Sequence, residues 1–112
     1  GARSFAKGTL DHDFIPDTIC DGLRGTLGAI NFEILRAADA QVLTVDDAQV
    51  VAAMRLLWTR TKQLVEPSSA TTLAAVIANR ALFEGRRVGI ILSGGNVDLD
   101  ALPALFAKES LP

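Results

Sequence analysis

Residues Ala70–Phe83 place the tightest constraint on what this chain can fold into. The stretch is apolar nearly all round a helix, relieved only by Thr71, Thr72, Asn79 and Arg80. A helix with no polar face has to be buried on both sides. It is expected to begin directly after Glu66-Pro67, because proline lacks an amide donor and disfavours helical geometry in the residue before it. Ser68 and Ser69 are its expected caps, and Gly85 is placed to end it.

The segments around it supply part of the cover. Val50, Met54, Leu57, Thr61, Leu64 and Val65 form one stripe, which predicts an amphipathic helix over Asp46–Val65 with Thr44 as N-cap and Asp46 and Asp47 at the positive end of its dipole. Upstream, Leu23, Leu27, Ile30, Ile34 and Leu35 recur at helical spacing. Gly22, Gly25 and Gly28 weaken that helix by up to ~1 kcal/mol each and need a packing reason, such as close approach of backbone or ligand. Gln41–Val45 is short and β-branched and reads as a strand. Val88–Leu92 is a continuous apolar strand of the kind covered on both faces in parallel sheets. Asp98 or Asp100 is expected to cap a last short helix ending around Phe106, with Pro103 tolerated in its first turn. The first twenty residues show neither period and read as a surface loop.

Two strands and about four helices make an α/β composition, yet a typical sheet has ~4 to 6 strands. Residues 1–112 are therefore expected to be part of one α/β domain, with 1–20 as a loop and 21–112 as helices and parallel strands of a larger sheet layer. The alternative is a small, non-catalytic α/β module that hides the same surface by dimerising.

At 112 residues there is room for one domain at most, and 49% apolar with 21% charged residues excludes a disordered chain. A net charge of -2, with Arg86-Arg87 as the one basic pair, offers no footprint for nucleic acid or anionic lipid. The single cysteine, Cys20, allows neither an internal disulfide nor a Cys/His zinc site, which fits a reducing, cytoplasmic setting. The longest apolar run, Leu73–Ala78, is far below the ~18 residues of a membrane span, and Gly1–Leu10 has no apolar signal core. A soluble, unexported protein is expected. The chain opens on Gly1 rather than methionine, which reads as a processing or cloning boundary, the chain being either a fragment of a longer protein or one piece of a protein supplied in two.

Ligands of open α/β sheets bind beyond the carboxyl ends of strands. Ser93-Gly94-Gly95-Asn96 follows Val88–Leu92 at such an end. Ser93 offers a hydroxyl that donates and accepts, and Gly94 and Gly95 allow a tight turn with a ligand close to the backbone; an ordinary strand-to-helix turn would look the same. Glu66 sits among apolar neighbours, either facing a ligand or serving the amides that open the next helix. His12, flanked by Asp11 and Asp13, lacks a second strong metal ligand and reads as a solvated loop. Cys20 reads as a small buried residue and Trp58 as core.

Four segments then occur in a particular order: Asp17-Thr18-Ile19-Cys20-Asp21-Gly22-Leu23, Leu27-Gly28-Ala29-Ile30-Asn31-Phe32, Leu64-Val65-Glu66-Pro67-Ser68-Ser69-Ala70 and Ile91-Leu92-Ser93-Gly94-Gly95-Asn96-Val97-Asp98-Leu99. Together they closely resemble the C-terminal part of the pyridoxal-phosphate-dependent serine/threonine dehydratases and serine racemases. The resemblance implies a tryptophan-synthase-like, fold type II enzyme, with this stretch forming the C-terminal portion of its large cofactor domain. It implies that Ser93 hydrogen-bonds the pyridine nitrogen of pyridoxal 5'-phosphate, that Gly94 is also among the cofactor-binding residues, that the Gly22 backbone lies near the ring, and that Glu66 is close to it. It also implies an ammonia-lyase turning a β-hydroxy amino acid, threonine or serine, into a 2-oxo acid and ammonia. A serine racemase or hydroxyaspartate dehydratase is the alternative on the same scaffold. In the racemases the positions matching Lys62 and Asn96 help bind a nucleotide. The family's cofactor-binding lysine segment and glycine-rich phosphate loop have no match here, and Lys7, Lys62 and Lys108 stand in other contexts. No catalytic residue is therefore expected within these 112 residues, and the divalent-cation ligands are expected outside them. The partners expected are the remainder of the enzyme, a small amino-acid substrate and a further copy in a homo-oligomer.

Overall fold

The computed structural model describes residues 1–107; Lys108 lies outside the described residues. Six α-helices follow in order: α1 (Ala2–Lys7), α2 (Ala29–Ala37), α3 (Asp47–Thr61), α4 (Pro67–Ala78), α5 (Arg80–Phe83) and α6 (Leu102–Ala107). Short 3-10 turns at Asp21–Leu23 and Leu99–Ala101 precede α2 and α6.

The core is the contact between α3 and α4. Val50, Ala53, Met54 and Leu57 of α3 meet Ala70 and Ala74 of α4, with Cys20 and Val65 closing the edges. Met54 and Ala70 are fully buried. Small residues on α4 let the two backbones approach, and the longer side chains of α3 fill the space between them. From the C-terminal end Leu102, Leu105 and Phe106 pack on this core, and Phe106 meets Trp58 edge to face with ring centroids 5.9 Å apart. Trp58 also donates its indole N–H to the Val65 carbonyl at 2.9 Å, so it is a core residue as expected.

Helix ends depart from the sequence reading for local reasons. The cap of α3 is Asp46, not Thr44: Asp46 Oδ1 accepts the Gln49 N–H at 2.8 Å and Gln49 Oε1 accepts the Asp46 N–H at 3.0 Å, a reciprocal box. The helix stops at Thr61 rather than Val65, because Lys62 turns left-handed at φ 60. Val65 is still buried, but from the connection that follows. Glu66 occupies the N-cap position of α4 and Pro67 its first turn, which leaves Ser68 and Ser69 inside the helix rather than capping it. The expected single helix to Phe83 divides at Asn79, whose side-chain Nδ2 and backbone N–H both bond the Ala75 carbonyl. Gly85, at φ 71, follows the end of α5.

The N-terminal residues are not all loop. In α1, Phe5 packs edge to face on Phe32 of α2 at 5.5 Å. Arg3 and Lys7 both pair with Asp11 Oδ2, at 2.9 and 2.7 Å, and hold its carboxyl well below the usual range, Lys7 contributing most. The helix expected from Leu23 onward begins only at Ala29. Gly25 and Gly28 lie in open space, so of the three glycines only Gly22 has the anticipated close packing.

The largest departure concerns the sheet. Among the described residues no strand forms: Gln41–Val45 and Val88–Leu92 run without a ladder. A helix satisfies its hydrogen bonds within itself, whereas a strand exists only against another strand. Val88–Leu92 stays open, with Ile91 at 77% exposure, while Leu43 and Val45 of the first segment are partly buried and Val45 packs on the core. Nor is the apolar helix covered all round, since Ile77 and Leu82 remain about half exposed. No helix among the described residues is long and apolar enough to cross a membrane.

Candidate cofactor site

Three stretches far apart in sequence meet at the start of α4. Glu66, at the N-cap, sends its carboxylate away from its own helix: it accepts no α4 amide, and Oε2 instead accepts the Asn96 N–H at 2.8 Å. Its backbone N–H donates to the Gly94 carbonyl at 3.2 Å, and Ser69 Oγ donates to the same carbonyl at 3.0 Å. The segment before α4 thus runs beside 94–96.

Glycine is required where they touch. Gly94 adopts φ 118, a region closed to most side chains, and a Cβ there would lie 2.9 Å from the Glu66 carboxylate atoms. Gly22 enters from the 3-10 turn, where a Cβ would lie 3.0 Å from Ser68 Oγ and 3.8 Å from Glu66 Oε1. That turn is fixed by a bond network. Asp47 accepts from Thr18 Oγ1 at 2.6 Å and from the Ile19 N–H at 3.1 Å, while Arg24 donates to the Thr18 carbonyl at 2.7 and 3.2 Å.

The expected residues are therefore gathered unequally. Gly22, Glu66 and Gly94 share one spot. Ser93 precedes Gly94 directly and is exposed in this chain. Lys62 spends its ammonium on its own helix, donating to the Thr59 carbonyl at 2.6 Å, and Asn96 enters the cluster through its backbone. Cys20 is buried, and burial pushes its thiol up from its ordinary value. Arg86 and Arg87 are exposed.

Two contributors escape a reading of the sequence. Ser69 holds the turn after Ser93, but in sequence it looks like a cap. Asp47 anchors the Gly22 segment, and a second acid behind the N-cap is the one signal of it. One polar atom is left over: Ser68 Oγ is buried without a partner beside Gly22. A cleft of about 920 Å³ opens next to the cluster, bordered by Gly22, Leu27, Val42, Thr71, Thr72 and Ala75. It follows segment 41–45 and reaches neither Ser93 nor Glu66.

The chain is 42% identical over 101 residues to the beta-hydroxyaspartate dehydratase of Paracoccus denitrificans (strain Pd 1222), covering 90% of this chain and 32% of that protein. The structure of maize serine racemase superposes with a TM-score of 0.82 at 38% identity, covering 96% of this chain and 35% of the other. The threonine deaminase of T.th. gives 0.80 at 41% identity, covering 88% and 33%. The chain spans about a third of the length of these relatives and matches their C-terminal part. The model of the family described as pyridoxal-phosphate dependent enzyme matches residues 2–94. With fold type II enzymes of that kind as its structural neighbours, this chain belongs to the pyridoxal-phosphate dependent enzyme family.

Proposed function

We propose that these residues form the C-terminal portion of the cofactor domain of an ammonia-lyase that converts a β-hydroxy amino acid into a 2-oxo acid and ammonia in the cytoplasm. The observation that carries the proposal is the meeting of Gly22, Glu66 and the Ser93-Gly94 turn at one point of the fold. The chemistry that pyridoxal phosphate supplies when bound is withdrawal of electrons from the substrate α-carbon.

Each residue here has a defined task. Ser93 presents a neutral hydroxyl to the ring nitrogen; unlike a carboxylate, it does not hold a proton there, which moderates the electron sink and suits loss of a β-hydroxyl. Gly22 and Gly94, lacking side chains, let Ser68 and the Glu66 carboxylate pack against their backbone and so bring the three stretches together. Glu66 accepts the Asn96 amide, which would hold its carboxyl group in place close to a bound ring. The lysine and the base belong to the rest of the enzyme, whose strands also pair with 41–45 and 88–92.

The test is to incubate the full-length protein with pyridoxal phosphate and L-threonine, L-serine or L-threo-3-hydroxyaspartate. Appearance of a 2-oxo acid with equimolar ammonia supports the proposal, and its absence with all three overturns it. Serine racemase is the second reading, favoured by the match to the maize structure. Formation of D-serine without a 2-oxo acid would establish it instead.

A further inference from the structure

We infer that Ser69 is a positioning residue for Ser93, its buried hydroxyl holding the turn after Ser93 so that the Ser93 hydroxyl keeps one direction toward a bound ring. This rests on the reading of Ser93 as a cofactor contact. Ser69 is 2% exposed, and its Oγ donates to the Gly94 carbonyl at 3.0 Å. The Glu66 N–H takes the other lone pair of that carbonyl at 3.2 Å, which completes its bonding capacity. The Asn96 N–H on Glu66 Oε2 is a third tie on the far side of Gly94.

These bonds act where the backbone needs them. Gly94 at φ 118 has no side chain to restrict it, so its conformation depends on what its carbonyl and its neighbours are tied to. Ser93 lies one residue upstream, so the aim of its hydroxyl follows the setting of the Gly94 peptide. Ser68 shows that adjacency is not enough: it stands next in the chain, yet its Oγ is without a partner.

The test is a double-mutant cycle in the full-length protein, reading the pyridoxal phosphate dissociation constant and the absorbance band of the bound cofactor. Ser69→Ala is expected to weaken cofactor binding by about tenfold, the size of one hydrogen bond, and to shift the band in the direction Ser93→Ala does. In the Ser93→Ala background the same change should add less than about twofold, because the two residues act on one contact. Additive losses, or a Ser69→Ala protein that binds like the parent while Ser93→Ala does not, would overturn the inference and leave the cofactor reading intact. A Ser93→Ala protein with unchanged affinity and spectrum would overturn both. Should Ser69→Ala fail to fold, Ser69→Cys, close in size but a weak donor, goes through the same cycle, and the same results support or overturn the inference.

Discussion

The buried faces of the α3–α4 pair and the segment Val88–Leu92 are both apolar, yet they end in opposite situations. Val50, Met54, Ala70 and Ala74 are almost wholly buried, while Val88, Ile90, Ile91 and Leu92 all remain exposed. Hydrophobicity alone does not decide burial. The helices complete their hydrogen bonds locally and then need only one face covered, whereas the apolar segment cannot be buried until other strands satisfy its amides.

The sharpest way to break this contrast is hydrogen exchange on the 112-residue chain. Amides of α3 around Met54 should be the most protected, and those of 88–92 should exchange as if unfolded; equal protection would refute the contrast. In the full-length protein, protection of 88–92 should rise by orders of magnitude. Next in size is Met54→Ala, expected to cost roughly 2–5 kcal/mol in a denaturant melt because it hollows the packed side. Gly94→Ala should follow: it forces a Cβ to within 2.9 Å of the Glu66 carboxylate at a positive φ, and cofactor titration should show loss of binding. Asp46→Ala removes one half of the capping box and should cost about 1 kcal/mol. Ile91→Ala should change the isolated chain by less than about 0.5 kcal/mol, in keeping with an uncovered site.

A still smaller effect concerns α1. Asp11 has its folded-state pKa lowered by Lys7 and Arg3, so its contribution is full above about pH 4, the unfolded carboxylate value, and drains away as acid carries the solution toward the folded value. Asp11→Asn should lower the thermal midpoint slightly at neutral pH, with the gap to the parent closing in acid. A gap that widens in acid would contradict the pairing.

What is legible in the sequence follows the same division. The stripe from Val50 to Leu57 and the break at Pro67 can be read because their signals lie within a few residues. The reciprocal pair Asp46 and Gln49 is equally local, and is hidden only because Thr44 offers an earlier cap. Glu66, Gly22 and Ser93 can be named through the order of four motifs, but not their meeting, which depends on a carboxylate turning away from its own helix toward Asn96. Nor can Ser69 be told from Ser68: adjacent and chemically identical, they differ only in whether the Gly94 carbonyl lies within reach. The apolar character of 41–45 and 88–92 is plain in the sequence, but a ladder is a property of two segments, and no pattern within one can supply its partner.

The lone thiol gives this fold a built-in reporter. Cys20 sits at the edge of the α3–α4 contact, on the wall of the cleft beside Gly22, with its proton held more firmly than usual, so a sulfhydryl reagent in solution finds little thiolate. Its labelling rate therefore reports on that cleft, and a slowing on adding cofactor would register the ligand's hold on the Gly22 turn, two residues along the chain.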